Sequence, residues 1–294
     1  MQKRKKNIMG DMNSLRFCRA MTLAAMALAS STLLAAAAAD TPEVSSGGHI
    51  SPEAYAGTSL VWRAERSGSA LASQTWSHET GARRKGGRHT ELQYYRPENT
   101  QVRNGFLVIS AVAGEHRGSA YTSSRITSRG SREIRFGRVD VRALLPGGQG
   151  IRPAVRMLGA SMPERGWPAA GEIDIVEMVG GEGREDTVHG TLHWQQGGGH
   201  FYEGGAITLP SGRDSEYFHV CSSIWDDSGI RGLVADDESF RVALSGAGFD
   251  AFREPFYLMI NLAVGGDWPG SPDHTTAFPQ HLVLDYIRVF QRTD

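Results

Sequence analysis

The sequence predicts an all-β protein folded as a β-sandwich, and three observations support this. The chain of 294 residues contains 36 glycines, which separate many short segments from one another. Several of these segments alternate apolar and polar residues, the period of a half-buried strand. After position 39, no stretch of about 12 residues has the apolar spacing of a helix. We therefore expect one sandwich of roughly 230 residues without an internal repeat or linker.

The amino-terminal residues 1–39 have the pattern of an export signal rather than of a folded element. Lysines and arginines come first, an apolar run rich in Ala, Leu and Met follows, and a row of alanines precedes Asp40. That order is typical of a cleaved signal peptide, and we expect a secreted or periplasmic protein. An uncleaved membrane anchor is the alternative, because the apolar run is long enough. Residues 40–56 are small and polar, which predicts a flexible leader before a domain at 57–294.

The charge of the remaining chain argues against a nucleic acid partner. Residues 1–39 hold six of the 31 Lys and Arg and one of the 32 Asp and Glu, which leaves 25 basic and 31 acidic residues, a net charge of −6. Binding to phosphates needs a basic surface. Cys18 would leave with the expected signal, so the exported chain would hold a single cysteine, and no internal disulfide is expected. An uncharged polymer such as a polysaccharide is compatible with this composition.

The expected strands follow one another through the domain, with turn clusters of Gly and Pro at 146–150 and 265–270. The run 256–264 is almost wholly apolar, which predicts a central strand buried on both faces. The clearest strand patterns lie at 107–112, 138–142, 172–176, 187–194, 256–264 and 282–290.

The most informative segment is Glu-Ile-Asp-Ile-Val-Glu at 172–177. Side chains alternate across a strand, so Glu172 and Asp174 share one face. Glu177 would point to the opposite face of a regular strand, but a β-bulge after Asp174 returns it to the acidic face. The segment therefore predicts three carboxyl groups in one row.

Clustered carboxyl groups raise the pKa of at least one member, because the site does not easily hold every negative charge. Glycoside hydrolysis needs that division, with one ionised carboxylate and one protonated acid. Two other interpretations fit the spacing equally well. The acids form the solvated face of an edge strand, or they hold a calcium ion through carboxylate oxygens.

In sequence, the chain resembles the family-16 glycoside hydrolases, specifically the laminarinase-like endo-β-1,3-glucanases. The resemblance runs from about Leu60 to Gln291. Its motifs lie, in order, at 60–62, 91–95, 121–126, 136–139, 145–150, 171–177, 189–194, 261–266, 268–272 and 285–289.

The resemblance implies a concanavalin A-like β-jelly-roll sandwich with an open substrate cleft across its concave sheet. It implies a retaining mechanism in which Glu172 is the nucleophile, Asp174 its helper and Glu177 the acid/base. It implies a β-glucan as the substrate, either β-1,3-linked or mixed β-1,3/1,4-linked, and no cofactor for catalysis. We expect the domain to be monomeric.

The resemblance also assigns residues outside the acidic row. Those expected to bind substrate are Trp167, His193, Arg125, His89 and Thr90. Glu65 and Asp285 match a structural calcium site that lies far from the chemistry.

Arg152 and Arg156 depart from the family, which normally has tryptophan at both positions in the sugar subsites. An arginine offers charge and hydrogen bonds in place of an aromatic surface. Either the cleft is adapted to an anionic polysaccharide such as a charged galactan, which the two arginines bind, or the scaffold is weakly active or binds without cleaving. A transglycosylase that uses the same covalent intermediate is a further alternative.

Overall fold

The computed structural model describes residues 49–65, 68–82, 90–209 and 217–293. These residues form two β-sheets with short connections. The strands are β1 (Thr58–Glu65), β2 (Ser77–His78), β3 (Gly81–Ala82), β4 (Gln93–Tyr95), β5 (Thr100–Arg103), β6 (Phe106–His116), β7 (Ser119–Ser123), β8 (Arg125–Thr127), β9 (Glu133–Ile134), β10 (Gly137–Leu144), β11 (Ile151–Gly159), β12 (Glu172–Met178), β13 (Thr187–Gln196), β14 (Gly199–Thr208), β15 (His219–Trp225), β16 (Gly229–Val234), β17 (Asp237–Ala243), β18 (Phe256–Val264) and β19 (Gln280–Arg292).

Helical structure is minor in the described part of the chain, as expected. It consists of the α-helix α1 (Met162–Arg165) and 3₁₀ turns at Pro97–Asn99 and Asp250–Arg253. No helix within the described ranges has the length and apolar character needed to cross a membrane.

Two sheets of unlike size form the β-jelly-roll sandwich. One has the order β17-β16-β15-β10-β19-β6-β7-β4-β3, with β1 beside β19 and β5 beside β6. The other has the order β14-β13-β12-β11-β18-β8-β2, with β9 beside β18. Neighbouring strands are antiparallel apart from the parallel pair β4 and β7. Because the second sheet carries the acidic segment, we call it the site sheet.

The core lies between the two sheets. Val141 and Ile287 come from one sheet, Ile173 and Ile260 come from the site sheet, and all four are fully buried. Strand β18 is buried at every position, which confirms the predicted central strand. Its neighbours β11 and β8 cover its edges, and its side chains alternate between the core and the face that carries the acids.

The end of the expected leader lies against the larger sheet. The backbone N–H of Ser51 donates to the Tyr286 hydroxyl at 2.7 Å, and Arg142 donates to the carbonyl of His49 at 2.9 Å. The Tyr55 hydroxyl donates to the buried Asp140 carboxylate at 2.7 Å. Residues 49–56 are therefore held by the sandwich, a finding that corrects the expected flexible leader for this part. The expected signal peptide at 1–39 and positions 40–48 lie outside the described residues.

The carboxylates suggested for calcium also lie on the larger sheet, and each already contacts a cation. Oε1 of Glu65 lies 2.7 Å from Nε and 2.7 Å from Nη2 of Arg288. Asp285 accepts a hydrogen bond of 2.6 Å from Arg142. Each of these carboxylates is therefore paired with a guanidinium, a partner that the match to calcium did not predict. Calcium binding here stays an untested expectation.

We expect Tyr55→Phe to lower the free energy of unfolding by about 1–3 kcal/mol, because the variant loses a hydrogen bond to a charged, buried acceptor. Urea denaturation of the full chain measures this difference. Tyr217→Phe is the matched control, since Tyr217 is exposed. Equal losses in both variants would contradict a fixed amino-terminal segment.

Candidate active site

The bulge predicted in the acidic segment is present in β12. Asp174 pairs with Thr191 and Glu177 pairs with His189, so Ile175 and Val176 together face a single residue of β13. Both apolar residues are buried in the core. The extra residue turns Glu177 onto the face of Asp174, away from the core, as two-against-one pairing does in a bulge. The three carboxyl groups therefore form one buried row.

Arg156 of β11 contacts every carboxyl group of the row. Its Nη1 donates to Oε1 of Glu172 at 2.9 Å, and its Nη2 donates to Oε1 of Glu177 at 2.8 Å. Its Nε lies 3.6 Å from Oδ1 of Asp174. Arg156 faces Asp174 because β11 and β12 are paired in that register. One guanidinium thus compensates charge along the whole row.

The carboxyl groups of Glu172 and Asp174 have pKa values that are shifted in opposite directions. Burial and the negative charges of Glu177 and Glu172 raise the pKa of Asp174 to about 7. Burial also acts to raise the pKa of Glu172, but the charges of Arg156 and His193 and a bond from Trp167 outweigh it and lower that pKa. Near neutral pH, Glu172 is therefore ionised while Asp174 exchanges a proton.

A histidine pair joins Asp174 to the surface. Nε2 of His193 lies 3.2 Å from Oδ2 of Asp174, and Nδ1 of His193 lies 3.0 Å from Nε2 of His200. Burial lowers the pKa of His193, but the bond to Asp174 and the surrounding carboxylates outweigh it and raise that pKa. The His200 ring packs against Trp167, with centroids 4.5 Å apart. Trp167 in turn donates to Oε2 of Glu172 at 2.6 Å.

A second group of charges adjoins the row at Glu177. Arg152 donates to Oε1 of Glu177 at 3.2 Å and to Oε1 of Glu91 at 2.9 Å. Arg125 lies 3.8 Å from Oε2 of Glu91 and stacks over the ring of Tyr95. Arg125 is therefore linked to the row through Glu91 and Arg152.

The Glu177 end of the row also has aromatic side chains. His189, paired with Glu177 across the strands, packs edge-on against Trp268 with centroids 5.0 Å apart. Burial lowers the pKa of His189, which favours its neutral form. Trp268 is exposed, and the neighbouring Asp267 accepts a 2.6 Å hydrogen bond from the Thr90 hydroxyl. Aromatic rings therefore flank both ends of the acidic row.

The structure brings together most of the residues expected to bind substrate. Trp167, His193, Arg152 and Arg156 contact the acidic row directly, as given above. Arg125 and Thr90 lie further out and contact it through other residues. His89 lies outside the described residues.

Two residues that participate in the network were not recognised in the sequence. Glu91 was noted only as part of a motif, although its buried carboxylate binds Arg152. His200 pairs with Gln195, two residues beyond His193 in β13, and therefore lies on the face of His193. A glycine-rich turn at 197–199 is the signal for the hairpin that joins these two histidines.

One group in the described ranges has donor atoms spaced for a metal ion, formed by Glu172, Asp174 and His193 within 4.8 Å of one another. The Arg156 guanidinium lies against both of its carboxylates. A cation there would be repelled by that fixed charge, so the group does not fit a metal.

Comparison with known proteins adds an independent finding. The model of the glycosyl hydrolases family 16 matches residues 70–288. A β-glucanase of Rhodothermus marinus is 38% identical over 253 residues, which cover 79% of this chain and 85% of that protein. The clotting factor G alpha subunit of Tachypleus tridentatus is 32% identical over 79% of this chain, which spans only 34% of that subunit.

A solved structure is similar over the same region. The catalytic domain of an endo-1,3-β-glucanase (laminarinase) from Thermotoga petrophila has a TM-score of 0.72 and 38% identity, covering 81% of this chain and 99% of that domain.

The raised pKa of Asp174 predicts how stability changes with pH. A group with a pKa raised by folding contributes stability that is present at low pH and lost as pH rises to the folded value, here about 7. His193 has a raised pKa as well, so its contribution is lost in the same direction. We therefore expect wild type to lose stability relative to Asp174→Asn between pH 4 and about pH 8. Urea denaturation across this range measures the difference, and a constant difference would contradict the shift.

Proposed function

This chain belongs to glycosyl hydrolase family 16 and is a glycoside hydrolase, and from that premise we propose that it is an endo-acting enzyme for β-1,3-glucan of the laminarin type or for mixed β-1,3/1,4-glucan. The names of the related β-glucanase and laminarinase support this substrate class. The row of three carboxyl groups, in which the pKa of Glu172 is lowered and that of Asp174 is raised, is the observation that carries the proposal.

The proposed reaction is a double displacement that retains configuration. The Glu172 carboxylate attacks the anomeric carbon, and Glu177 gives a proton to the oxygen of the departing sugar. Water then attacks the glycosyl ester, Glu177 accepts the water proton, and Glu172 is released. The lowered pKa of Glu172 supports its assignment as the nucleophile.

Asp174 is proposed to assist Glu172 and Glu177 in the two steps of this reaction. It lies between the two glutamates in the row and changes protonation near neutral pH. His193 contacts Asp174 and leads towards solvent through His200. A proton can therefore enter or leave the centre of the row without crossing the sugar.

The aromatic rings at the ends of the row are the proposed sugar platforms. Trp167 and Tyr202 flank the Glu172 end, and Trp268 flanks the Glu177 end. All three are exposed, which leaves their faces accessible. The apolar faces of sugars gain free energy by stacking on such rings. Platforms on both sides of the acids suit cleavage within a chain.

An anionic polysaccharide is less well supported as the substrate. Its sulfate or carboxylate groups would need the guanidinium groups of Arg152 and Arg156. Those groups are already bonded to Glu91, Glu172 and Glu177 and are mostly buried. Binding an anion would leave one of these buried carboxylates unpaired, which is costly.

A glucan-binding protein without turnover is the second candidate function. The observation that favours it is the Arg156 bridge, which occupies both proposed catalytic glutamates. This candidate predicts that the chain retains laminarin and releases no reducing ends, and that Glu177→Gln leaves the retention unchanged.

We also propose that the chain is exported before it acts, as a monomer. The pattern of residues 1–39 supports export. A polymeric glucan is itself an extracellular substrate for a cell that cannot import it.

We expect Glu172→Gln and Glu177→Gln each to lower the release of reducing ends from laminarin by at least about 10²–10⁴-fold, the usual effect of losing an acid/base group. The exposed Glu115 on the larger sheet supplies a control, and Glu115→Gln should retain activity. Unchanged activity in Glu172→Gln would overturn its assignment as the nucleophile.

We expect the first product of laminarin hydrolysis to carry the β-configuration, because two successive inversions restore it. Proton NMR during the first minutes of reaction distinguishes the two anomers before they equilibrate. An α-anomer that appears first would show a single inversion and would exclude the covalent intermediate.

A further inference from the structure

The Arg156 bridge joins two groups with opposite roles in the proposed reaction. Nη1 binds Glu172 and Nη2 binds Glu177, at 2.9 and 2.8 Å. Double displacement places the anomeric carbon against Glu172 and the departing oxygen against Glu177. The guanidinium therefore spans the gap in which the bond to be cleaved must lie.

The bridge also restrains the attacking group. Oε1 of Glu172 accepts from Arg156, and Oε2 accepts from Trp167 at 2.6 Å. Both oxygens of the nucleophile are thus engaged, and only 7% of its side chain is exposed. A charge-assisted bond from a guanidinium stabilises the carboxylate in its resting state. Attack on a sugar has to give up part of that stabilisation, which slows the reaction.

Arg152 differs from Arg156 in this respect. It holds Glu177 and Glu91, and only the first of these belongs to the acidic row. When the bond between Arg156 and Glu177 breaks, Arg152 still holds Glu177. Among the described side chains, Arg156 is the one that donates hydrogen bonds to both the nucleophile and the acid.

We propose that Arg156 is a positioning residue that latches Glu172 to Glu177 in the free enzyme, and that a sugar reacts only after this side chain has moved aside. The inference rests on the proposed function. It implies that the bridge stabilises the folded protein at the expense of the rate of the first chemical step.

Two variants of Arg156 distinguish the effect of losing the bridge between the two glutamates from the effect of losing the positive charge. Arg156→Lys keeps a positive charge, but a single ammonium group does not reproduce the planar fork that binds two carboxylates at once. Arg156→Gln removes the charge as well. A latch predicts faster attack in Arg156→Lys, which keeps the charge. Charge compensation alone predicts no faster attack in Arg156→Lys and slower attack in Arg156→Gln, because Arg156→Gln loses the cation that lowers the pKa of Glu172.

The test follows attack by Glu172 directly. The full chain is incubated with a 2-deoxy-2-fluoro-β-glucan oligosaccharide that is activated as its anomeric fluoride. The nucleophile displaces the fluoride at C1, and the fluorine that remains at C2 makes the resulting glycosyl ester stable. Intact-mass spectrometry gives the rate of ester formation at saturating reagent, and peptide mapping locates the ester. Thermal melting verifies that each variant is folded, and Arg156→Lys serves if Arg156→Gln does not fold.

We expect Arg156→Lys to form the ester on Glu172 about tenfold faster than wild type, the factor that corresponds to one lost charge-assisted bond. Arg138→Gln is the matched control, because Arg138 forms a buried pair with Asp140 on the larger sheet. It should destabilise the chain and leave the labelling rate unchanged.

Two outcomes would overturn the inference, and they are distinguishable. If wild type takes the label and folded Arg156→Lys takes it no faster, there is no latch, while the proposed function stands. If no protein takes the label or hydrolyses laminarin, the proposed function fails, and the latch fails with it.

Discussion

Three carboxyl groups are buried in one row on β12, and the rest of the site depends on the charge that compensates them. An unpaired buried carboxylate costs several kcal/mol, so such a row needs a cation within reach. Arg156 provides it by contacting all three groups. Arg152, Glu91 and Arg125 continue the alternation of charge away from the row. Ion pairs thus stabilise the buried charged side chains on this face of the site sheet.

The bulge in β12 connects this polar face to the core. By inserting one residue, it places Ile175 and Val176 in the core and returns Glu177 to the acidic face. A regular strand would have buried Glu177 among apolar side chains. The same local irregularity therefore completes the hydrophobic core on one side of the sheet and the acidic row on the other.

Compensation by Arg156 has a chemical consequence. A tryptophan, the residue that the resembling family normally has at this position, would offer a surface to a sugar and leave the carboxylates free. Arginine stabilises the buried row but engages the two glutamates that are proposed to react. The exposed rings of Trp167 and Trp268, the proposed sugar platforms, lie at the two ends of the row, apart from this charge compensation.

The sequence by itself determined the all-β class, the central strand β18, the acidic row and its bulge. These features depend on residue type and on the two-residue period of a strand, both of which are local. Composition was a poorer guide at residues 49–56, which are small and polar yet bind the larger sheet through Ser51 and Tyr55.

Only the tertiary structure decided the partners of the charged residues. Arg152 and Glu91 are 61 residues apart in the chain, and Arg156 meets Glu172 only because β11 pairs with β12 in one register. Glu65 and Asp285, matched to calcium by position, each accept a hydrogen bond from an arginine. A side chain's type says what it can bind, whereas its partner is whichever group the folded sheets place within a few ångströms.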